Sequence, residues 1–388
     1  MGAIAWSSLL PLIIVSSLIM YEEWISTPSC KIIPGPDPHE NESGRGTEGL
    51  KVMLVGNLLL LGSEAGYLNR YFRDYYMAKF FRKSFHSVKP DMLLVLGDVS
   101  AKGSELTRSH WLPVFNQFDQ MLGPFLGLPF HVTLGDRDVG ECSRLNPKSV
   151  NWIAGNLPGL DSAGCGAFEI SNVSFVSLNA VALLCGNNKL RFSVEKVIER
   201  ERIDPRMDEE GTAEAINYSG KFSETYNDFA GRENDMPSGS GSVLLLHFPL
   251  DRRDDSKCSP ESSNTRESRG FLGPGPYDLS HTVPRNATEY IFQSIKPSII
   301  FSAHTHEFCD HTHPDGTREV TVSAMTWKAR DDPGFVFATF HGNRRGVSVS
   351  YCSLARESHI LLAYASVLVL LSSFVLVANI PQWRSLNH

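Results

Sequence analysis

The stretch DMLLVLGDVSAKGSE, residues 91–105, decides the fold. Five apolar residues, Met92 to Leu96, run without interruption into Gly97-Asp98. A short apolar run that stops at a turn pair reads as a buried strand. The same form occurs upstream as KVMLVGN (51–57) and downstream as PFHVTLGD (129–136). Between them, residues 69–88 and 106–122 repeat their apolar positions at three and four, the helical spacing. This βαβαβ series predicts a sheet covered by helices. Farther along come FEISNVSFVSLNAV (168–181), the helix-like FSVEKVIERERI (192–203), SVLLLHFP (242–249) and SIIFSAHTH (298–306). EVTVSAMTW (319–327), GFVFATFHG (334–342) and GVSVSYC (346–352) then follow without long helices between them, which calls for a second sheet. The expected fold is α/β, with two stacked mixed β-sheets flanked by helices.

Composition narrows the partners. The 388 residues hold 36 Lys+Arg against 43 Asp+Glu, which leaves no basic footprint for nucleic acid. Both ends are apolar: no charge precedes Glu22, and ILLAYASVLVLLSSFVLVANI (360–380) carries none. Each reaches the ~20 residues that cross a ~30 Å hydrocarbon core. The first lacks the basic start and small-residue cleavage site of a signal peptide, so residues 1–21 are read as an uncleaved anchor. Residues 360–380 are the second expected transmembrane helix, with 381–388 as a short tail. Residues 22–48 are expected to be a stalk, and 49–355 the main domain, with polar insertions near 205–241 and 252–281. Sequons at Asn41, Asn172, Asn217 and Asn286, and seven cysteines without a C-x-x-C pair, favour a lumenal main domain. The cysteine pairing is open at this level, with one left over.

Chemistry gathers at the strand ends. These carry, in order, Asn57, Asp98, Asp136, His247, then His304 and His306. In α/β proteins ligands collect beyond the carboxyl ends of strands. One such Asp is an ordinary turn former, but carboxylates and imidazoles in series are the donors that Mn, Zn or Fe ions take. Arg137 follows the third strand and is a candidate phosphate contact. His311 and His313, before Pro314-Asp315-Gly316, read as a turn, Glu64 as a remote rescuing ligand and Asn179 as a structural hydrogen-bonding residue.

In type and order these blocks resemble the calcineurin-like metallophosphoesterases, whose signature runs strand–GD–strand–GN(H)–strand–H–strand–GH-x-H. The matching stretches are VLGDVSAKGSE (95–105), VTLGDRDVGE (132–141), LLLHFPLDRR (244–253) and IIFSAHTHEF (299–308). FVSLNAVAL, HFPLDRRDDSKC and SAMTWKARDDPGF are similar to the membrane-anchored metallophosphoesterase 1 branch, which also has a span at each end. The resemblance implies a two-sheet sandwich and two divalent ions that share a bridging Asp. It also implies hydrolysis of ethanolamine phosphate on GPI anchors in the endoplasmic reticulum or Golgi membrane, which supports export of GPI-anchored proteins. The implied partners are the GPI-anchor glycan, its cargo proteins and membrane lipid.

Departures from the pattern qualify the chemistry. The family's first block is D-x-H, and here Asn57 and Leu59 take those positions. The third block, normally G-N-H-D, is Gly135-Asp136-Arg137-Asp138, and Ala303 replaces the Gly of the last block. The resemblance assigns the first metal to positions 57, 59, 98 and 306, and the second to Asp98, Asp136, His247 and His304. Leu59 ligates nothing and Asn57 offers only a neutral amide oxygen. One ion held by two Asp and two His is expected, with Arg137 unable to serve as a general acid. The alternatives are a hydrolase with one retained ion and a weak or inactive relative that binds the glycan or cargo without turnover.

Overall fold

The computed structural model describes residues 2–34, 49–186, 188–202, 241–252, 258, 276–341 and 346–386. Its strands are β1 (Ser29–Ile33), β2 (Leu50–Val55), β3 (Met92–Leu96), β4 (Phe130–Thr133), β5 (Gly166–Ile170), β6 (Val173–Ser177), β7 (Val243–Leu245), β8 (Ile299–Ser302), β9 (Cys309–Thr312), β10 (Arg318–Thr321), β11 (Gly334–Phe340) and β12 (Val347–Ser353). Its helices are α1 (Gly2–Ile25), α2 (Asp74–Val88), α3 (Arg108–Leu122), α4 (Asp136–Val139), α5 (Pro147–Ala154), α6 (Ala180–Leu184), α7 (Lys189–Arg200), α8 (Arg285–Ile295) and α9 (Glu357–Leu386).

The strands form two six-stranded sheets, in the orders β1-β12-β11-β2-β3-β4 and β5-β6-β7-β8-β10-β9. Each is mixed: β2, β3 and β4 run parallel, as do β6, β7, β8 and β10, with antiparallel strands outside them. Alternation along the strands explains the stacking. Val52, Leu54, Leu94 and Leu96 of the first sheet share one core with Phe175, Val243, Leu245, Ile299 and Phe301 of the second. The intervening residues Met53, Val55, Leu93, Val95, Leu244 and Ile300 belong to the other core, with Phe80 and Phe81 of α2, Phe118 of α3, Val194 of α7 and Ile291 of α8. Strands buried on both faces read as unbroken apolar runs, which is why MLLVL is so plain in the sequence.

The two ends of the domain meet. Cys30 lies directly opposite Cys352 in the β1–β12 pair and is disulfide-bonded to it. The expected stalk therefore needs correction: within 22–48, Ser29–Ile33 is an edge strand rather than a linker, because a β-partner waits at 349–353. Cys142–Cys185 and Cys258–Cys309 are the other disulfides, and Cys165 is free and buried. Of the expected insertions, 205–240, 253–257 and 259–275 lie outside the described residues, as do the sequons at Asn41 and Asn217.

One helix among the described residues is long and apolar enough to cross a membrane, over Glu357–Val377, with a mean hydropathy of 2.6. It starts three residues before the expected span. Its first residue is tied to the domain: Glu357 accepts from buried Arg73 at 2.6 and 3.1 Å. Tyr364 reaches Tyr76 of α2 at 3.2 Å and also contacts Glu22 at the end of α1. Lys79 of α2 pairs with Glu23 at 2.9 Å, so both terminal helices leave the domain beside α2.

Candidate metal centre

The carboxyl ends of β2, β3 and β4 in one sheet and of β7 and β8 in the other converge, and the turns there are tight. Asn57, Leu59, Asp98, His304 and His306 all have φ between 51° and 61°, the left-handed region that non-glycine residues enter at a cost of about 1–2 kcal/mol. Both Gly-Asp pairs are sterically required. A Cβ on Gly97 would lie 2.3 Å from His247 Nδ1, and one on Gly135 would lie 2.2 Å from Asp98 Oδ1.

Asp136, His247 and His304 form the one group of potential metal donors among the described residues, their ligand atoms within 4.8 Å of one another and all buried. Asp136 Oδ1 lies 3.0 Å from His247 Nε2 and 3.3 Å from His304 Nδ1. Asp98 adjoins the group, with Oδ1 3.5 Å from His247 Nε2. The far nitrogen of each ring faces a backbone carbonyl: His247 Nδ1 meets Leu96 O at 2.8 Å, and His304 Nε2 meets Asp278 O at 2.8 Å. Each ring donates there, and the opposite nitrogens turn lone pairs toward a carboxylate oxygen. That contact is repulsive unless the rings are protonated or a cation lies among them. The outer carbonyls are also what orients metal-binding imidazoles. The donors therefore fit one divalent ion.

Burial works against ionisation of Asp136, but with the rings of His247 and His304 protonated, their hydrogen bonds and charge prevail and hold it below the usual carboxylate range. Burial, then Asp136 and Asp138, push Asp98 up, with Arg137 opposing. Asp138 accepts from the backbone N–H groups of Ser100 at 2.9 Å, Gly135 at 3.0 Å and Val99 at 3.3 Å. It ties the β3 turn to the β4 turn, and burial pushes it up to about 6. The sequence marks the residue only as the last position of the third block, and not the three N–H groups that it accepts.

The first-site positions do not fit an ion. Asn57 is fully buried, with neither amide atom partnered. Leu59 packs with Leu61, Ala101, Ala324 and Ala329 in a small apolar cluster. His306 is buried but stands outside the donor group, and burial, reinforced by Arg137, lowers its imidazole to about 3. Arg137, the candidate phosphate contact, is buried and faces Asp98. Its backbone N–H donates to Asp98 Oδ1 at 3.0 Å, and Nε lies 3.5 Å from Asp98 Oδ2.

The remaining candidates resolve simply. Glu64 lies outside the donor group and pairs with Lys102 at 3.7 Å. Asn179 caps α6 by accepting from Ala182 N, and donates to Ala163 O at 2.8 Å. The turn expected at His311 and His313 is a correction: His311 is on β9 and both are buried, because His313 Nε2 bonds the buried Glu319 at 2.7 Å. Only Pro314-Asp315-Gly316 turns.

Comparison with known proteins gives the same direction. A sequence model described as calcineurin-like phosphoesterase matches residues 37–308. The chain is 26% identical over 344 residues to a rat (Rattus norvegicus) protein named Metallophosphoesterase 1, covering 88% of this chain and 80% of that one. The Xenopus laevis protein of the same name is 26% identical over 347 residues, covering 87% and 80%. Among solved structures, a dimetal phosphatase from Danio rerio aligns with 76% of this chain and 94% of its own, at 11% identity and a TM-score of 0.41.

Proposed function

The chain belongs to the calcineurin-like phosphoesterase family, and from that membership we propose that it is a metal-dependent phosphodiesterase acting on the ethanolamine phosphate of GPI anchors. The observation that carries the hydrolase reading is the convergence of Asp136, His247 and His304, with Asp98 beside them. A divalent ion bound there would polarise a phosphoryl oxygen and make water a nucleophile near neutral pH. The chain's own part is to hold the donors: carbonyls of Leu96 and Asp278 orient the two imidazoles, and the Arg137 N–H orients Asp98. Arg137 stands where the family places a histidine and gives up no proton near neutrality. Esters with good leaving groups are therefore expected to turn over fastest.

The substrate and the place rest on the branch resemblance. We read residues 1–21 as the first anchor and Glu357–Val377 as the second, with the domain lumenal in the endoplasmic reticulum or Golgi. Three disulfides suit an oxidising compartment. One further reading, binding of the glycan or of cargo without turnover, is favoured by the unpartnered Asn57 amide and the buried Leu59. The test is the full chain in detergent with Mn²⁺ or Zn²⁺, assayed on bis(p-nitrophenyl) phosphate and on a GPI glycan bearing ethanolamine phosphate. Hydrolysis of both that Asp98→Ala abolishes supports the first reading. Glycan binding with no hydrolysis of either sinks it and supports the second.

A further inference from the structure

The misfit at the first metal position has a definite shape. Asn57 is neutral and unpartnered, and Leu59 is packed among alanines and Leu61. Two positions of that site keep their chemistry, Asp98 and His306, and a guanidinium stands against the first. Arg137 Nε is 3.5 Å from Asp98 Oδ2, while Asp98 Oδ1 is turned to the retained donors, 3.5 Å from His247. The arginine is held in place, its own N–H on Asp98 Oδ1 at 3.0 Å and its Nη1 on Ala101 O at 3.5 Å.

We propose that the Arg137 guanidinium is the second cation of this centre, a fixed charge that takes the part of the absent first ion beside Asp98. This rests on the phosphoesterase reading above. Asp98 is buried, and a carboxylate charge taken out of water is held only where positive charge or hydrogen-bond donors face it. In a two-ion centre a bridging carboxylate faces a cation on each side. Here Oδ1 faces the one-ion group and Oδ2 faces an arginine, which is charged at every physiological pH. An ion beside that guanidinium would meet like charge in a low-dielectric site. Leu59 is then a space-filler at a position that has no ion left to bind.

The test counts Mn²⁺ ions per purified full-length chain by mass spectrometry and measures Mn²⁺ affinity by calorimetry. The parent is expected to hold one ion. Asn57→Asp with Leu59→His, which restores the ligands alone, is expected to stay at one, and adding Arg137→His to reach two. Arg137→Gln alone is expected to tighten the single site by about tenfold, because a neighbouring positive charge is gone. That variant leaves Leu59 untouched, so it carries the test if a buried histidine at position 59 prevents folding. Two ions in the double variant with Arg137 in place would overturn the proposal. So would an Arg137→Gln protein with the parent's melting temperature and unchanged or weaker Mn²⁺ binding. A parent that holds no ion would instead overturn the metal reading itself, and this proposal with it.

Discussion

Gly97 and Gly135 carry no side chain because none fits against His247 and Asp98. Each Gly-Asp pair in the sequence is therefore a packing requirement as well as a turn. Gly135→Ala is expected to cost about 1–3 kcal/mol in urea unfolding, and to weaken Mn²⁺ binding by displacing Asp98. The three residues of the donor group and the adjoining Asp98 were legible from sequence, because residue type and strand-end position are local properties. Asp138 was not, since its work is to accept three N–H groups from two separate turns. His131 was hidden for a different reason: its burial comes from packing between elements distant in the chain, such as its ring against Phe168. It is buried, neither ring nitrogen has a partner, and burial lowers it to about 4. Its unfolded value is about 6.5, so the unfolded chain takes up the proton first as pH falls. The stability it permits is intact above about pH 6.5 and drains away toward about pH 4, by up to ~3 kcal/mol. A melting-temperature series over that window is expected to slope less steeply in His131→Leu than in the parent.

Among elements, the βαβαβ core was readable because strands buried on both faces give unbroken apolar runs. The edge strand β1 was not: of SCKII only Ile33 is buried, and its partner lies more than 300 residues along the chain, at the far end of the domain. The Cys30–Cys352 disulfide closes that loop, with a sequence separation of 322. By the chain-entropy relation its loss costs up to ~5 kcal/mol, so Cys30→Ser with Cys352→Ser is expected to shift the urea midpoint sharply downward. The α2–α9 junction makes a second prediction. Arg73 and Glu357 are both buried and doubly hydrogen-bonded, and Glu357→Gln removes the carboxylate charge that accepts both bonds. A loss of about 3–5 kcal/mol is expected. An unchanged melting temperature would show that water reaches the pair.

For the molecule as a whole, the two sheets bring their carboxyl ends to one place. Sequence order alone pairs no strand across the two sheets, yet the centre draws Asp98 and Asp136 from the first and His247 and His304 from the second. The His304–His306 pair suggests two ions when read as a motif. In three dimensions His304 joins the donors, and His306 stands apart near Asn57's unpartnered amide only in the family's scheme of ligands. The account therefore stands or falls on the number of ions the centre holds. Metal content per full-length chain, after Mn²⁺ loading and exhaustive dialysis, measures it directly. One ion per chain, lost in Asp136→Ala, is the predicted result. Two ions in the parent, or one that survives Asp136→Ala, would contradict it.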